Sequence, residues 1–374
     1  MDGLGDLRSL NDGAIEQLLD WRPEHGVISV YLVIDPADRR DSWRTVLKDQ
    51  LNEIVEAEWD PTGRRRVPLA ATAERIQEHF LDEVPPFERL QIGFCEVAEK
   101  DGRDVWTSAQ MRREMTEIVD LDHPYLIPLL GLLDEGAPIG VAAISAERVR
   151  LFEWVLGRLT DLEDWEAVLF MPDWREKKAQ SSPDPARVHG PSASGHDQFD
   201  QRLDANRERF LEQVGGLVAE QALGRRWRRV LAFGAAHQVG RLQQGVRDRV
   251  ELDLADEVDI VSENDRGRIL ERVEAAVERH NRRREMALVQ AAVEAALTPA
   301  GRGATGLDEI ERSLTEGRVR HLLFDAQSRG RDVRQMEEQL VDRALRTSAE
   351  VTPVEGEAAE MLREHGGIAA LLRY

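Results

Sequence analysis

The stretch Met171-Pro172-Asp173-Trp174-Arg175-Glu176-Lys177-Lys178, followed by Ser181-Ser182-Pro183-Asp184-Pro185 and His189-Gly190-Pro191-Ser192-Ala193-Ser194-Gly195-His196-Asp197-Gln198, decides how this chain is read. Before it stands an apolar run, Ala167-Val168-Leu169-Phe170, expected as a strand that ends at Met171. After it, Phe199, Leu203, Phe210, Leu211, Val214, Leu217 and Val218 recur at helical spacing, with Arg202, Arg207 and Arg209 on other faces. The helix is expected to start near Phe199. Between the two elements the residues are those of a loop: proline presets φ, serine bonds its own backbone and glycine accepts positive φ. A loop this long inside a compact domain is uncommon and is functional or disordered. Framed by a strand and a helix, residues 172–198 are expected to form a tip loop projected from a rigid α/β body.

Working outward, Ile139-Gly140-Val141-Ala142-Ala143-Ile144 and Val149 to Val155 read as strands, reversed at Ser145-Ala146-Glu147. Leu159 to Glu166 then lead into the strand ending at Met171. Beyond the long helix, Val230-Leu231-Ala232-Phe233 is a strand and Gly234 opens a helix running through His237 to Gly245. Val250-Glu251-Leu252 and an Arg/Glu-rich helix from Arg266 to Arg284 close this middle domain, 137–284. Hairpin strands followed by alternating strand and helix make a mixed α/β sheet.

The preceding residues, 1–136, read as an N-terminal α/β domain. It has a helix from Ser9 to Trp21, a strand from Val27 to Ile34 and amphipathic helices over Trp43–Glu58 and Ala70–Leu81. Two further strands meet at Lys100-Asp101-Gly102, a hairpin turn by its chemistry. Tyr31, Trp43 and Trp106 are expected in its core. The C-terminal part, 285–374, reads as an α/β sandwich. A helix from Glu285 to Leu297 is followed by a flexible turn and a second helix with Asp308 in its first turn, where the dipole favours an anion. A buried strand over Val319–Asp325 and a helix from Asp332 to Thr347 precede the apolar close Gly366 to Tyr374. The chain is therefore expected to be α/β with three domains.

Composition narrows the function classes. A net charge of −21 over 374 residues argues against a hold on nucleic acid by bulk electrostatics. Two local clusters remain for RNA contact, Arg225-Arg226-Trp227-Arg228-Arg229 and Arg279-His280-Asn281-Arg282-Arg283-Arg284. Cys95 is the single cysteine, which excludes an intrachain disulfide and a thiolate metal site. The acidic start, Met1-Asp2-Gly3-Leu4-Gly5-Asp6, is not a signal peptide, and no apolar run approaches the ~20 residues of a membrane span. A cytoplasmic protein without membrane contact is expected. His189 and His196 with Asp184, Asp197 and Asp200 lack the fixed helical spacing of a metal motif, so neither metal nor cofactor is expected. Glu147, Glu153, Asp161, Glu163 and Asp164 are expected in turns as solvated charge rather than as a nuclease centre.

Three passages together resemble the archaeo-eukaryotic peptide-chain release factor and Pelota family, in its bacterial branch. The first is Met171-Pro172, Lys177-Lys178 and His189-Gly190 before a glycine, a glutamine and an Arg-rich helix. The second is Ala304 to Asp325, where a helix and Glu316-Gly317-Arg318-Val319 feed a buried strand. The third, Gly366-Gly367-Ile368-Ala369-Ala370-Leu371-Leu372-Arg373-Tyr374, looks very like that family's closing strand and is the most specific. Ile28-Ser29-Val30-Tyr31-Leu32 looks like the opening strand of the bacterial members. The resemblance implies a ribonuclease-H-like middle domain that carries the tip loop into the peptidyl-transferase centre. It implies a third domain similar to a kink-turn-binding ribosomal-protein-like module. The implied partners are the ribosome with its tRNA and rRNA, and a translational GTPase.

In release factors a tip glutamine helps place a water on the ester linking peptide to tRNA. Such a step needs an oriented water and a donor for the developing oxyanion rather than a strong base. By this resemblance Gln198 is the amide, beside His196 and Gly195, while Lys177, Lys178, Arg187, His189, Gly190 and Arg202 would face RNA. This sequence has no Gly-Gly-Gln. Alignment on the downstream helix instead puts Ser192-Ala193-Ser194 at the tip and Gln198 on the first helical turn. Two functions stay open: a peptidyl-tRNA hydrolase that rescues stalled ribosomes, and a non-catalytic rescue or hibernation factor that occupies the A-site.

Overall fold

A computed structural model describes residues 12–34, 42–57, 64–82, 89–109, 118–167, 193–298, 301–326 and 331–374, with side chains at 12–13, 81–82, 193–200 and 331–335 excepted. The N-terminal part contains α1 (Asp12–Leu19), β1 (Val27–Val33), α2 (Ser42–Ala57) and α3 (Arg66–Asp82). It continues with β2 (Leu90–Glu96), β3 (Asp104–Ala109), β4 (Ile118–Asp122) and α4 (Ile127–Glu135). Then come β5 (Ile139–Ile144), β6 (Arg148–Val155), β7 (Arg158–Glu166) and α5 (Ala193–Arg225). They are followed by β8 (Arg229–Phe233), α6 (Ala236–Val246), β9 (Glu251–Asp256) and α7 (Arg266–Leu297). The last elements are β10 (Gly303–Thr305), α8 (Leu307–Thr315), β11 (Val319–Asp325), α9 (Arg331–Arg346), β12 (Glu350–Val354), α10 (Gly356–Glu364) and β13 (Ile368–Leu372). They make three sheets in two compact units: 1–137 with 155–158 and 278–374, and 138–154 with 159–277.

In the first unit the sheet β3-β2-β1-β4 is antiparallel throughout. Period-two alternation sends Ile28, Val30 and Leu32 to one face, where Trp43, Leu47, Leu51, Leu69, Ile76 and Phe80 of the two helices cover them. The opposite face holds Ser29 and Tyr31. Tyr31 is fully buried and donates its hydroxyl to the Tyr125 carbonyl, while the Tyr125 N–H donates to Ser29 Oγ at 2.9 Å. These bonds fix the start of α4, whose sequence has no helical apolar period. Ile127, Leu129, Leu130, Gly131 and Leu132 are all buried, as in a helix packed on every side.

The same unit contains the C-terminal sheet, ordered β10-β13-β11-β12, with β11 and β12 parallel and the other pairs antiparallel. Its core joins Val289, Ala292, Leu323, Val354, Ala359, Leu362 and Ala369. The helices on this sheet make it an α/β layer structure, as expected. α4 lies against the edge strand β12, where Asp134 Oδ2 accepts Thr352 Oγ1 at 3.1 Å and an ion pair from Arg284. Further out, His123 Nε2 meets Glu338 Oε2 at 3.1 Å, and Arg346 reaches Asp20 at 2.9 Å.

His123 also faces Asp122 and Arg22, and its bond to Glu338 raises its pKa above 6.5 despite partial burial. A raised folded pKa gives stability that is full below the unfolded value and is lost as pH rises through the folded one. Urea midpoints of the wild type should therefore carry a decline above pH 6.5 that His123→Gln lacks. Equal pH profiles for the two proteins would show that this bond contributes nothing. His321, buried against Thr352 and beside Glu350, shifts the other way, so its contribution is lost as pH falls below 6.5.

In the second unit the sheet order is β7-β6-β5-β8-β9, with β6 antiparallel to β5 and with β8 and β9 parallel along it. This is the ribonuclease-H-like arrangement that the family resemblance implies. α5 and α6 cover one face through Leu211, Val214, Val218, Val239, Leu242 and Val246. β7 is Arg158–Glu166, the stretch that leads into the expected strand, and residues 168–171 of that expected strand lie outside the described residues. Only Leu159 is buried along it and its charges face solvent, an edge strand whose polar composition reads as loop. Leu156 and Gly157, both at positive φ (48° and 82°), make the tight turn from β6.

Candidate functional site

α5 is built in two halves. From Leu211 onward it sends Leu211, Val214, Val218, Ala219 and Ala222 into the core. None of residues 201–210 is buried. From Ala193 to Arg207 the helix rises about 21 Å at roughly 1.5 Å per residue. At the junction of the halves Arg207 Nε donates to Glu147 Oε1 at 3.0 Å, and Arg207 also pairs with Asp204 at 3.2 Å. Glu147 sits in the turn after β5, and its carbonyl accepts the Ala167 N–H at 2.7 Å. One turn residue thus ties both flanks of residues 168–192 to the sheet. Sequence reading placed Glu147 among solvated charges, because nothing in the spacing links it to Arg207.

The helix begins at Ala193, six residues before the expected start, because apolar periodicity starts only at Phe199 while helix formation requires no apolar residue. Gly195, His196 and Gln198 therefore lie within the first two turns of α5 rather than in a loop. Positions 195, 198 and 202 follow the i, i+3, i+7 spacing of one helical face. Arg202 is exposed. Lys177, Lys178, Arg187, His189 and Gly190 lie outside the described residues.

Of the other carboxylates expected in turns, Glu153, Asp161 and Asp164 are engaged on strands, and Glu163 is exposed on β7. Glu153 on β6 accepts Trp227 Nε1 at 2.9 Å and pairs with Arg225 at 3.4 Å. Asp161 on β7 meets Arg266 at 2.9 Å. Asp164 takes both Nε and Nη2 of Arg148, at 2.9 and 2.6 Å, which holds its carboxyl below the usual carboxylate range. Among the described residues no cluster of His, Cys, Asp and Glu is arranged to hold a metal ion. The two arginine clusters are partly neutralised as well: Arg225 faces Glu153, Arg229 lies near Glu251 and Asp253, Arg282 pairs with Glu278 and Arg284 with Asp134. No described helix is long and apolar enough to cross a membrane.

Residues 124–278 match a family model described as bacterial archaeo-eukaryotic release factor family 10. No curated protein matches the sequence. Among solved structures, an archaeal translation termination factor, aRF1, is 19% identical, with 99% of each chain covered and a TM-score of 0.25. Dom34 of S. cerevisiae, described as a translation termination-like factor interacting with Hbs1, is 9% identical over 76% of this chain and 79% of its own, with a TM-score of 0.42. A ribosome-bound archaeal Pelota with ABCE1 is 14% identical over 97% and 94%, with a TM-score of 0.41.

Proposed function

We propose, from the match of residues 124–278 to the bacterial archaeo-eukaryotic release factor family, that the protein is a cytoplasmic, ribosome-associated factor of that family that acts at the peptidyl-tRNA ester of stalled ribosomes. The division into domains 1–136, 137–284 and 285–374 is part of this reading, with the last domain the one that meets a translational GTPase. The observation that carries it is α5: in the family-matched segment, its first half extends for about 21 Å without a buried residue among 201–210.

In the hydrolytic form of this reading Gln198 orients the water, His196 relays a proton or contacts a phosphate, and Gly195 lets the backbone come close to RNA. Lys177, Lys178, Arg187, His189, Gly190 and Arg202 hold phosphates and fix the register, without reading sequence. A second reading, a non-catalytic occupant of the A-site for rescue or hibernation, is favoured by the placement of Gln198 inside a helix. Beyond the first turn, helical N–H groups are committed to carbonyls four residues back. A backbone oxyanion donor at residue 198 is then lost, and only the side-chain amide remains.

Peptide release from stalled ribosome complexes separates the two. If the chain hydrolyses, Gln198→Ala should lower the release rate by about 100-fold, as loss of an oxyanion or water-positioning donor does. Wild-type protein that co-sediments with ribosomes but releases nothing establishes the occupant reading. Failure to sediment with ribosomes at all would remove both.

A further inference from the structure

A third basic surface lies at one end of the N-terminal sheet. It is assembled from the turn before β1 (Trp21 to Gly26), the start of α3 (Arg64, Arg65, Arg66) and the β2–β3 hairpin (Ala98 to Arg103). The three pieces are in contact. Arg65 Nε donates to the His25 carbonyl at 2.9 Å, the Val97 N–H donates to the Gly26 carbonyl at 3.0 Å, and the Arg103 guanidinium stacks over Trp21 at 4.6 Å. Residues 21–26, 64–67 and 96–103 carry six cations against four carboxylates, Glu24, Glu96, Glu99 and Asp101, in a chain whose net charge is −21.

Two of the six cations serve the fold: Arg65 through His25, and Arg22 through the Trp21 carbonyl and Asp342 at 3.8 Å. The other four, Arg64, Arg66, Lys100 and Arg103, are exposed, and none has an ion pair among the described residues. Arg64 and Arg66 are also placed against their own helix. α3 has no acidic residue in its first turn, so they sit at the end where the dipole disfavours cations. A position that opposes folding and makes no internal ion pair is accounted for by an external anion. The half-buried Trp21 under Arg103 adds an aromatic side chain of the kind on which a nucleotide's base stacks.

We propose that Arg64, Arg66, Lys100 and Arg103, with Trp21, form an RNA-binding surface that grips backbone phosphates. This rests on the ribosomal reading above and gives the N-terminal domain its task within it. The test uses full-length protein, purified ribosomes, a labelled 20-nucleotide RNA and phosphatidylserine vesicles. Arg64→Ala/Arg66→Ala should weaken RNA and ribosome binding by roughly tenfold and reduce the salt slope by about 1.4 to 1.8 for two phosphates. Its melting temperature should be unchanged or higher, because two unfavourable helix-end charges are gone; a structural role would lower it. Arg272→Ala/Arg343→Ala, the same charge change at exposed positions of α7 and α9 outside both arginine clusters, should leave binding near wild type. The proposal is overturned if the α3 double variant binds RNA and ribosomes with wild-type affinity and salt slope, if the wild type binds no RNA, or if vesicles displace RNA. Wild type that binds RNA through these arginines but not ribosomes would instead sink the ribosomal function and leave this surface standing.

Discussion

Gly245→Ala should destabilise the second unit by about 3 kcal/mol or more, the scale of an overpacked core that cannot relax. α5 and α6 cross with backbone against backbone. A Cβ at Gly245 would stand 1.9 Å from the Glu212 carbonyl oxygen and 3.0 Å from Gly215 Cα, and one at Gly215 would stand 2.2 Å from the Leu242 carbonyl oxygen. The obstacles are main-chain atoms, so no rotamer change relieves them and the helices must separate. Separation pulls Val214, Val218, Leu242 and Val246 out of register in the core. Gly216→Ala is the control: nothing lies within 4 Å of its added methyl, and replacing a partly exposed helical glycine should gain about 0.5 to 1 kcal/mol. Denaturant unfolding followed by circular dichroism checks both. If the two variants shifted the midpoint alike, the close crossing would be wrong. Gly215 and Gly216 thus have unrelated roles, although nothing in the local sequence separates them.

Asp134→Ala should cost about 2 to 3 kcal/mol in the first unit, at the low end for breaking a buried pair because Asp134 and Arg284 each keep about a fifth of their exposure. The carboxylate joins three elements: it sits on α4, accepts Thr352 Oγ1 of β12 and pairs with Arg284 of α7. Arg284 Nε is already a buried atom without a bond among the described residues, so losing Asp134 strands a guanidinium whose desolvation is no longer offset. Asp134→Asn keeps the acceptor for Thr352 and should fall between the two. A variant as stable as wild type would mean that α4 is held on β12 by its leucines alone.

Much of the fold is legible before any coordinate. β1, β2, β5, β8, β11 and β13 are short β-branched or apolar runs bounded by turn residues, and α2, α3, α8 and α9 carry a clear apolar stripe; each lies where its pattern puts it. The missed elements share a physical cause. β7 and β4 are edge strands rich in charge, and α4 is apolar on every side and so has no period to read. β12 and α10 stand between stronger signals, and α7 runs unbroken through residue 284 because no helix-stopping residue stands there. In the site, the order strand, proline, lysine pair, His-Gly, glutamine and helix was visible, and it led to the family matched over 124–278. The start of the helix at Ala193 and the tie of both flanks to Glu147 were not.

Sequence by itself determined which segments are apolar, with what period, and therefore which become strands and helices, because burial drives local periodicity. Tertiary structure alone decided which charges are spent. Arg225, Arg284 and Arg207 find carboxylates far along the chain, whereas Arg64 and Arg66 find none among the described residues. An ion pair depends on a few ångströms between side chains from distant segments, and that distance is set only when the sheets have closed.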